Sequence, residues 1–223
     1  MNNWLIFAMV AIPSVILHEV AHGYIADVLG DHSAREAGRL TLNPIKHVDP
    51  VGTILLPALL IFSNFPVFGY AKPVPVNVTR LRHRRRDSVL VSLAGPATNF
   101  LLCGTGWLVT EYAFRVYFRH TTILINSLGS TGILGWHYIV LQIGLGLGTI
   151  NLMLGVFNLM PIPPLDGSAL IEYFVPPTKL GGYFRFRAKA LPVLFGLLLI
   201  DSFNWHLTNH LLQAVQNAWL ATL

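Results

Sequence analysis

Charged residues are scarce in this chain. Of its 223 residues, only 11% are Asp, Glu, Lys or Arg and 53% are hydrophobic, whereas an average soluble domain has about 25% charged residues. This balance excludes a disordered chain and a coiled coil. The basic residues are split among short stretches between apolar runs, which argues against a nucleic-acid-binding face. The composition is that of a membrane protein.

Cysteine is nearly absent as well. The single cysteine, Cys103, lies in an apolar run, so the chain has no disulfide framework and no cysteine-rich metal site. Any metal ion must therefore be held by histidine and carboxylate side chains. The chain lacks internal repeats and long linkers, and its start lacks the features of a cleaved signal peptide. We expect one membrane-embedded domain over residues 1–223.

Long apolar runs predict an all-α, multi-pass membrane fold. Three runs have the roughly 20 residues needed to cross a bilayer core about 30 Å thick. A fourth run, 191–200, is short, and the tail 205–223 is interpreted as an amphipathic interfacial helix or a weakly hydrophobic last span. The three predicted spans are 4–28, 89–114 and 133–160.

The positions of the basic residues predict the orientation of the chain. All but two of the 15 Lys and Arg residues fall in the segments 28–50, 68–87 and 161–189. The positive-inside rule places these segments in the cytoplasm and the amino terminus outside, in what we expect to be a bacterial or archaeal plasma membrane. The cluster 80–86 is interpreted as an anchor to lipid headgroups.

Two further elements are predicted near the cytoplasmic side. Segment 51–68 is apolar but contains Pro57 and has basic segments on both sides, so we expect a re-entrant segment that dips into the membrane and returns. Segments 33–42 and 70–78 alternate small or apolar with polar residues. We expect them to form a small β element of edge strands.

The first span contains the pattern H-E-x-x-H, as His18, Glu19 and His22. Four residues advance a helix by about 400°, so the two imidazoles project from one face and can hold one metal ion, while Glu19 points close by. In zinc proteases such a metal lowers the pKa of a bound water and the glutamate takes its proton. Alternatively, the histidines are interfacial or core residues, but polar groups in an apolar span favour a functional site.

A catalytic zinc usually has three protein ligands, and the end of the third span offers a carboxylate. Asp166 follows a proline-rich turn that begins at Pro161, and we place it at the same depth as His22. It is therefore the candidate third ligand. The alternative is a helix-capping aspartate before Gly167 and Ser168.

Three motifs in this order resemble the site-2 proteases, which are intramembrane zinc metalloproteases. The motifs are H-E-x-x-H at 18–22, Gly-Pro-Ala-Thr-Asn at 95–99, and the stretch from Asn158 to Gly167 that contains Leu-Asp-Gly. The resemblance covers the chain from about residue 4 to residue 167. It implies a three-helix catalytic core there, and we expect accessory helices over 188–223.

The resemblance also implies the roles of individual residues. Zinc is bound by His18, His22 and Asp166, and Glu19 is the general base for hydrolysis of a peptide bond in or near the membrane. Asn158 handles the substrate or the oxyanion, a role to which an amide donor is suited. Asn99 would act similarly, or would serve in helix packing beside the Gly-Pro pair.

The chain differs from better-studied members of this family in what it lacks. Only about 20 residues separate the second and third predicted spans, so we expect no PDZ domain there and no carboxyl-terminal nucleotide-sensing domain. The chain resembles the minimal branch of the family. Substrates would then be selected by the membrane core, the predicted edge strands or a separate partner, and an extended substrate could add to a strand edge.

His47 is the remaining candidate for the site. It could approach the metal as a gating or extra ligand, and the simpler alternative is a loop histidine bonded to backbone. Asp49 is predicted to cap a helix that starts near residue 51, with Pro50 at its first position.

The sequence thus predicts an intramembrane zinc endopeptidase, with one Zn²⁺ per chain, that acts on transmembrane segments of other proteins. Its partners are membrane-protein substrates and the lipid bilayer, and nucleic acid is not expected. One alternative is a membrane protein that transports a divalent metal, although the outer halves of the spans carry few ionisable residues. Another is an inactive membrane chaperone, against which the intact Glu19 argues.

Overall fold

The computed structural model describes residues 3–63, 70–128, 135–190 and a few positions between 210 and 221. Within these ranges the chain is mostly helical and contains no strand. Short 3₁₀ turns lie at Pro44–His47, Val78–Arg80 and Pro177–Lys179. The α-helices, in chain order, are α1 (Asn3–Val28), α2 (Ser33–Glu36), α3 (Leu56–Phe62), α4 (Arg84–Leu128), α5 (Gly135–Leu159), α6 (Ser168–Phe174) and α7 (Leu180–Ala188).

Among the described residues, three helices are long and apolar enough to cross a membrane. They correspond to Leu5–Val28 in α1, Arg84–Val116 in α4 and Tyr138–Leu159 in α5, which confirms the three predicted spans. Each of the three contacts the other two. The predicted short span 191–200 lies outside the described residues, as does most of the tail 205–223.

Helices α4 and α5 approach each other closely because glycines line their contact. A Cβ atom added to Gly106 of α4 would lie 2.3 Å from the backbone nitrogen of Gly148 on α5. A Cβ added to Gly144, one turn away on α5, would lie 2.6 Å from Oγ1 of Thr110. Small residues at such positions let helix backbones pack at short range in a membrane. The backbones of α4 and α5 are therefore in close contact at these glycines.

The segment predicted to be re-entrant forms one short helix in its described part. A π-helical turn at Pro50–Leu55 runs directly into α3, and the carboxylate of Asp49 accepts hydrogen bonds from the N–H groups of Val51 and Gly52. The cap at Asp49 and the proline after it are therefore confirmed. The re-entrant path is not supported, because Pro50–Phe62 is one continuous helix and residues 64–69 lie outside the described residues.

The prediction of a β element was wrong. Segment 33–42 begins as α2 and then turns at Gly38, whose φ is +62°. Segment 70–78 has no strand partner, because Pro73 and Pro75 have no N–H. Several of its other N–H groups bond elsewhere: that of Lys72 donates to the His47 carbonyl, and that of Asn77 to a carboxylate. The alternation of apolar and polar residues in these two segments therefore does not correspond to a β-sheet.

The close approach of α4 and α5 predicts a difference between two glycines on α4. Gly106→Ala should destabilise the protein by about 1–3 kcal/mol, the usual cost of overpacking, because its Cβ would meet α5 backbone. Gly104→Ala is the matched control, since a Cβ there meets no atom within 4 Å. Unfolding of each purified variant in mixed detergent measures both effects. Equal stabilities of the two variants would contradict this packing.

Candidate metal centre

Three side-chain atoms from two distant parts of the chain converge near the carboxyl-terminal end of α1. Nε2 of His18 and Nε2 of His22, one helical turn apart, are separated by 3.1 Å. Oδ2 of Asp166, in the turn between α5 and α6, lies 3.2 Å from the first and 3.3 Å from the second. Among the described residues, these form the one cluster of three potential metal ligands.

The surroundings leave these three atoms as electron-pair donors. Nδ1 of His22 lies 2.7 Å from the Val91 carbonyl, and since a carbonyl only accepts, this nitrogen donates and Nε2 of the neutral ring is unprotonated. Nδ1 of His18 is likewise engaged, 2.6 Å from Oδ1 of Asn99. Oδ2 of Asp166 is buried and has no hydrogen-bond donor. Burial of three unpaired electron-pair donors is unfavourable, and a bound cation would compensate them.

The spacing of the cluster suits zinc. Nitrogen and oxygen ligands lie about 2.0–2.2 Å from a tetrahedral zinc ion, which sets neighbouring ligand atoms about 3.3–3.6 Å apart. The edges of 3.1, 3.2 and 3.3 Å lie at or within about 0.2 Å of the short end of this range. Burial raises the pKa of the Asp166 carboxyl, but His18 and His22, when their imidazoles are protonated, outweigh burial and lower this pKa to about 2. A carboxylate that shares a metal ion with two neutral imidazoles is likewise ionised.

A glycine-closed turn presents Asp166 to the two histidines. The N–H of Gly167 donates to the carbonyl of Asn158 at 2.7 Å, so the chain folds back on the end of α5. A Cβ atom on Gly167 would lie 2.1 Å from the Leu159 carbonyl oxygen. Only glycine fits so close to that backbone, and this explains the Asp-Gly pair of the third motif.

Gly95 of α4 provides the space in which the two imidazoles sit. A Cβ atom at this position would lie 2.4 Å from Nε2 of His22 and 2.5 Å from Cε1 of His18. The glycine of the second motif thus allows α4 to pack directly against the histidine pair. Its neighbour Pro96 is almost fully buried.

Glu19 lies beside the cluster without belonging to it. Its Oε2 accepts a hydrogen bond of 3.0 Å from the backbone N–H of Val74. Segment 70–78, which contains Val74, is held in turn by Nη2 of Arg39, which donates to the Lys72 carbonyl at 2.6 Å. Glu19 is thus oriented by segment 70–78, separately from the three potential metal ligands.

A second carboxylate fixes the far end of segment 70–78. Asp31 is fully buried and accepts hydrogen bonds from the N–H groups of Ser33 and Asn77. Burial raises the pKa of this carboxyl, but the hydrogen bonds from Ser33 and Asn77 outweigh burial and lower it. Asp31 therefore stays ionised and holds the segment in place at neutral pH.

The other three predicted site residues are not brought into the cluster. Asn99 is fully buried on the Nδ1 side of His18, away from Nε2. Asn158 donates from Nδ2 to the Leu154 carbonyl of its own helix. Nε2 of His47 lies 2.8 Å from the Thr41 carbonyl, which is the backbone contact of the simpler alternative.

The sequence reasoning missed three residues that support the site. Val74 holds Glu19 through its backbone, and a backbone contact leaves no signal in a side-chain pattern. Asn151 of α5 accepts from Asn99 and donates to Ser14 of α1, each at 2.8 Å. Asn151 and Ser14 are polar residues inside apolar spans, and that alone could have marked them as candidates.

Comparison with known proteins gives an independent result. The family model described as "Peptidase family M50" matches residues 6–200. The chain is 42% identical over 168 residues to "Putative zinc metalloprotease YwhC" of Bacillus subtilis (strain 168), covering 74% of this chain and 67% of that protein. It is 32% identical over 191 residues to "Putative zinc metalloprotease Rip2" of Mycolicibacterium smegmatis, covering 84% of this chain and 61% of that protein.

The chain thus spans about two thirds of the length of the curated relatives that it matches. The names of these relatives imply Zn²⁺ as the metal, in agreement with the cluster of two histidines and one aspartate. No solved structure matches the chain at a significant level.

The position of Gly95 predicts a specific loss of metal binding. Gly95→Ala should displace the imidazoles of His18 and His22 and lower the zinc content of the purified protein well below that of the unaltered chain. Gly104→Ala, on the same helix, is the control and should retain zinc, because nothing lies within 4 Å of its Cβ. Elemental analysis after dialysis against a weak chelator measures both. Full zinc retention in Gly95→Ala would contradict the described contact.

Proposed function

Because the chain belongs to peptidase family M50, the site-2 protease family, we propose that it is an intramembrane zinc endopeptidase that hydrolyses peptide bonds in or near transmembrane segments of other proteins. The observation that carries the proposal is the buried triangle formed by Nε2 of His18, Nε2 of His22 and Oδ2 of Asp166. It occurs at the end of a helix apolar enough to cross a membrane.

The three side chains would hold the metal and leave a fourth coordination position free, as in catalytic zinc sites. Zinc, when bound, supplies Lewis-acid polarisation of a carbonyl oxygen and lowers the pKa of a coordinated water to about 7. The proteins named in the comparison are zinc metalloproteases by their printed description, which supports this assignment.

Glu19 acts as the general base in this proposal. Among the described contacts, Oε2 is occupied by the N–H of Val74, whereas Oε1 has no hydrogen-bond partner and can take a proton. The carboxylate accepts a proton from the attacking water as the new C–O bond forms. It then gives this proton to the departing amide nitrogen as the C–N bond breaks.

Asn158 and Asn99 receive different roles. Asn158 is half-buried and uses one of its two amide hydrogens for the Leu154 carbonyl, so we assign the second to the substrate carbonyl or the developing oxyanion. Asn99 is fully buried behind His18, and we assign it to the orientation of that ligand. His47 has no part in the proposed reaction.

The orientation and the domain organisation belong to the same proposal. All but two of the 15 basic residues lie in segments that the positive-inside rule places in the cytoplasm. Asp166 lies in one of these segments, 161–189, so the metal centre would open toward the cytoplasmic side. The catalytic core would extend over about residues 4–167, within one membrane domain, and its partners would be membrane-protein substrates.

The general-base assignment predicts a separation of metal binding from hydrolysis. Glu19→Gln should keep the zinc content and lose cleavage of a labelled transmembrane peptide by at least about 100-fold, the lower range for a general base. Glu36→Gln is the matched control, because Glu36 is exposed and pairs with Arg80 away from the site. Unchanged cleavage by Glu19→Gln would contradict the proposed function. Absence of zinc from the unaltered protein would contradict the metal assignment.

A further inference from the structure

A chain of hydrogen bonds runs from the metal centre into the helix bundle and joins all three long helices. His18 on α1 contacts Asn99 on α4, Asn99 donates to Asn151 on α5, and Asn151 donates to Ser14 back on α1. The three residues beyond His18 are each 0% exposed. The successive donor–acceptor distances from Nδ1 of His18 to Oγ of Ser14 are 2.6, 2.8 and 2.8 Å.

Two backbone carbonyls fix the direction of this chain. The hydroxyl of Ser14 donates to the Val10 carbonyl at 2.8 Å, and Nδ2 of Asn151 lies 2.9 Å from the Leu147 carbonyl. Carbonyl oxygens only accept. The amide of Asn151 must therefore point its NH₂ group toward Ser14 and Leu147, which leaves its Oδ1 toward Asn99.

The orientation of the Asn151 amide also determines the orientation of Asn99, and through it the tautomer of His18. Since Oδ1 of Asn151 accepts, Asn99 must present its NH₂ group to Asn151 and its Oδ1 to His18. Nδ1 of His18 must then carry the proton, and the lone pair of the neutral ring is on Nε2. This is the nitrogen that faces Asp166.

The two histidines thus reach the same tautomer by different routes. His22 donates directly to the backbone carbonyl of Val91, whose direction cannot reverse. His18 donates to an amide that can turn over by 180° unless something holds it. The outer contacts of metal-bound histidines commonly fix ring orientation in this way.

We propose that Asn151 is a positioning residue, supported by Ser14, that fixes the amide of Asn99 and thereby sets the tautomer of His18 for metal binding. This inference rests on the proposed function, because the tautomer of His18 matters only if His18 binds the metal. Without Asn151, the Asn99 amide is free to turn its NH₂ group toward Nδ1 of His18. The ring proton would then move to Nε2 and block the ligand position.

The experiment that tests the proposal reads the tautomer directly. The full chain, labelled with ¹⁵N-histidine and stripped of metal, is compared with Asn151→Leu and the smaller Asn151→Ala by solid-state NMR in lipid. His18→Gln and His22→Gln assign the two resonances. We expect Nδ1 to be protonated at both histidines in the unaltered chain, and Nδ1 of His18 alone to lose its proton in the Asn151 variants.

His22 serves as an internal control for folding, since its partner is the Val91 backbone. A general loss of structure would change both histidines, whereas the proposal requires a change at His18 with His22 unaltered. The proposal is overturned if neither Asn151 variant changes His18 without changing His22. Because the readout needs neither zinc nor substrate, its failure is distinct from a failure of the peptidase assignment.

Zinc affinity gives a second readout, measured by competition with a chelating dye. Asn151→Leu should bind zinc about 10–100-fold more weakly, as for other residues that orient a metal ligand. Ser14→Ala should lose less zinc affinity than Asn151→Leu, because the Leu147 carbonyl still holds the Asn151 amide. Thr110→Val is the matched control: it removes a buried hydroxyl whose hydrogen bond, among the described residues, goes to the Gly106 carbonyl of its own helix, and should leave zinc affinity unchanged. Equal losses in Thr110→Val and Asn151→Leu would overturn the proposal.

Discussion

The metal centre depends on one constraint, which the surrounding structure serves. Three electron-pair donors must lie within about the distance that separates neighbouring ligands of one metal ion. Oδ2 of Asp166 is buried without a donor, and Nε2 of His18 and Nε2 of His22 lie 3.2 and 3.3 Å from it. In an apolar bundle such a cluster is unfavourable until a cation occupies it. Each surrounding feature therefore either brings these atoms together or keeps protons off them.

Helix packing brings them together, and backbone carbonyls keep them unprotonated. Gly95 lets α4 lie against the imidazoles, and Gly167 closes the turn that presents Asp166. The Val91 carbonyl fixes one histidine, while the second depends on a chain of amides that ends at the carbonyls of residues 10 and 147. Polar residues inside the spans thus serve the metal centre without touching it. Interhelical hydrogen bonds of this kind also support the bundle.

The features that could be predicted from the sequence are those that depend on residues a few positions apart in the chain. The pair His18 and His22 follows from helix geometry, and the cap at Asp49 follows from neighbouring residues. The strand prediction for 70–78 failed because side chains and isolated carbonyls, not a neighbouring strand, satisfy its N–H groups. Asn151 could not be placed, because its partners on α1 and α4 are defined only once three helices have packed.

The most direct test of this account is X-ray absorption spectroscopy at the zinc edge on the metal-loaded, unaltered protein. The account predicts two imidazole nitrogens and one or two oxygens at about 2.0–2.2 Å, with no sulfur in the first coordination shell. The one cysteine, Cys103, is buried and is not part of the described ligand cluster. A sulfur shell at about 2.3 Å, or a single imidazole in place of two, would contradict the assignment of His18, His22 and Asp166 as the metal ligands.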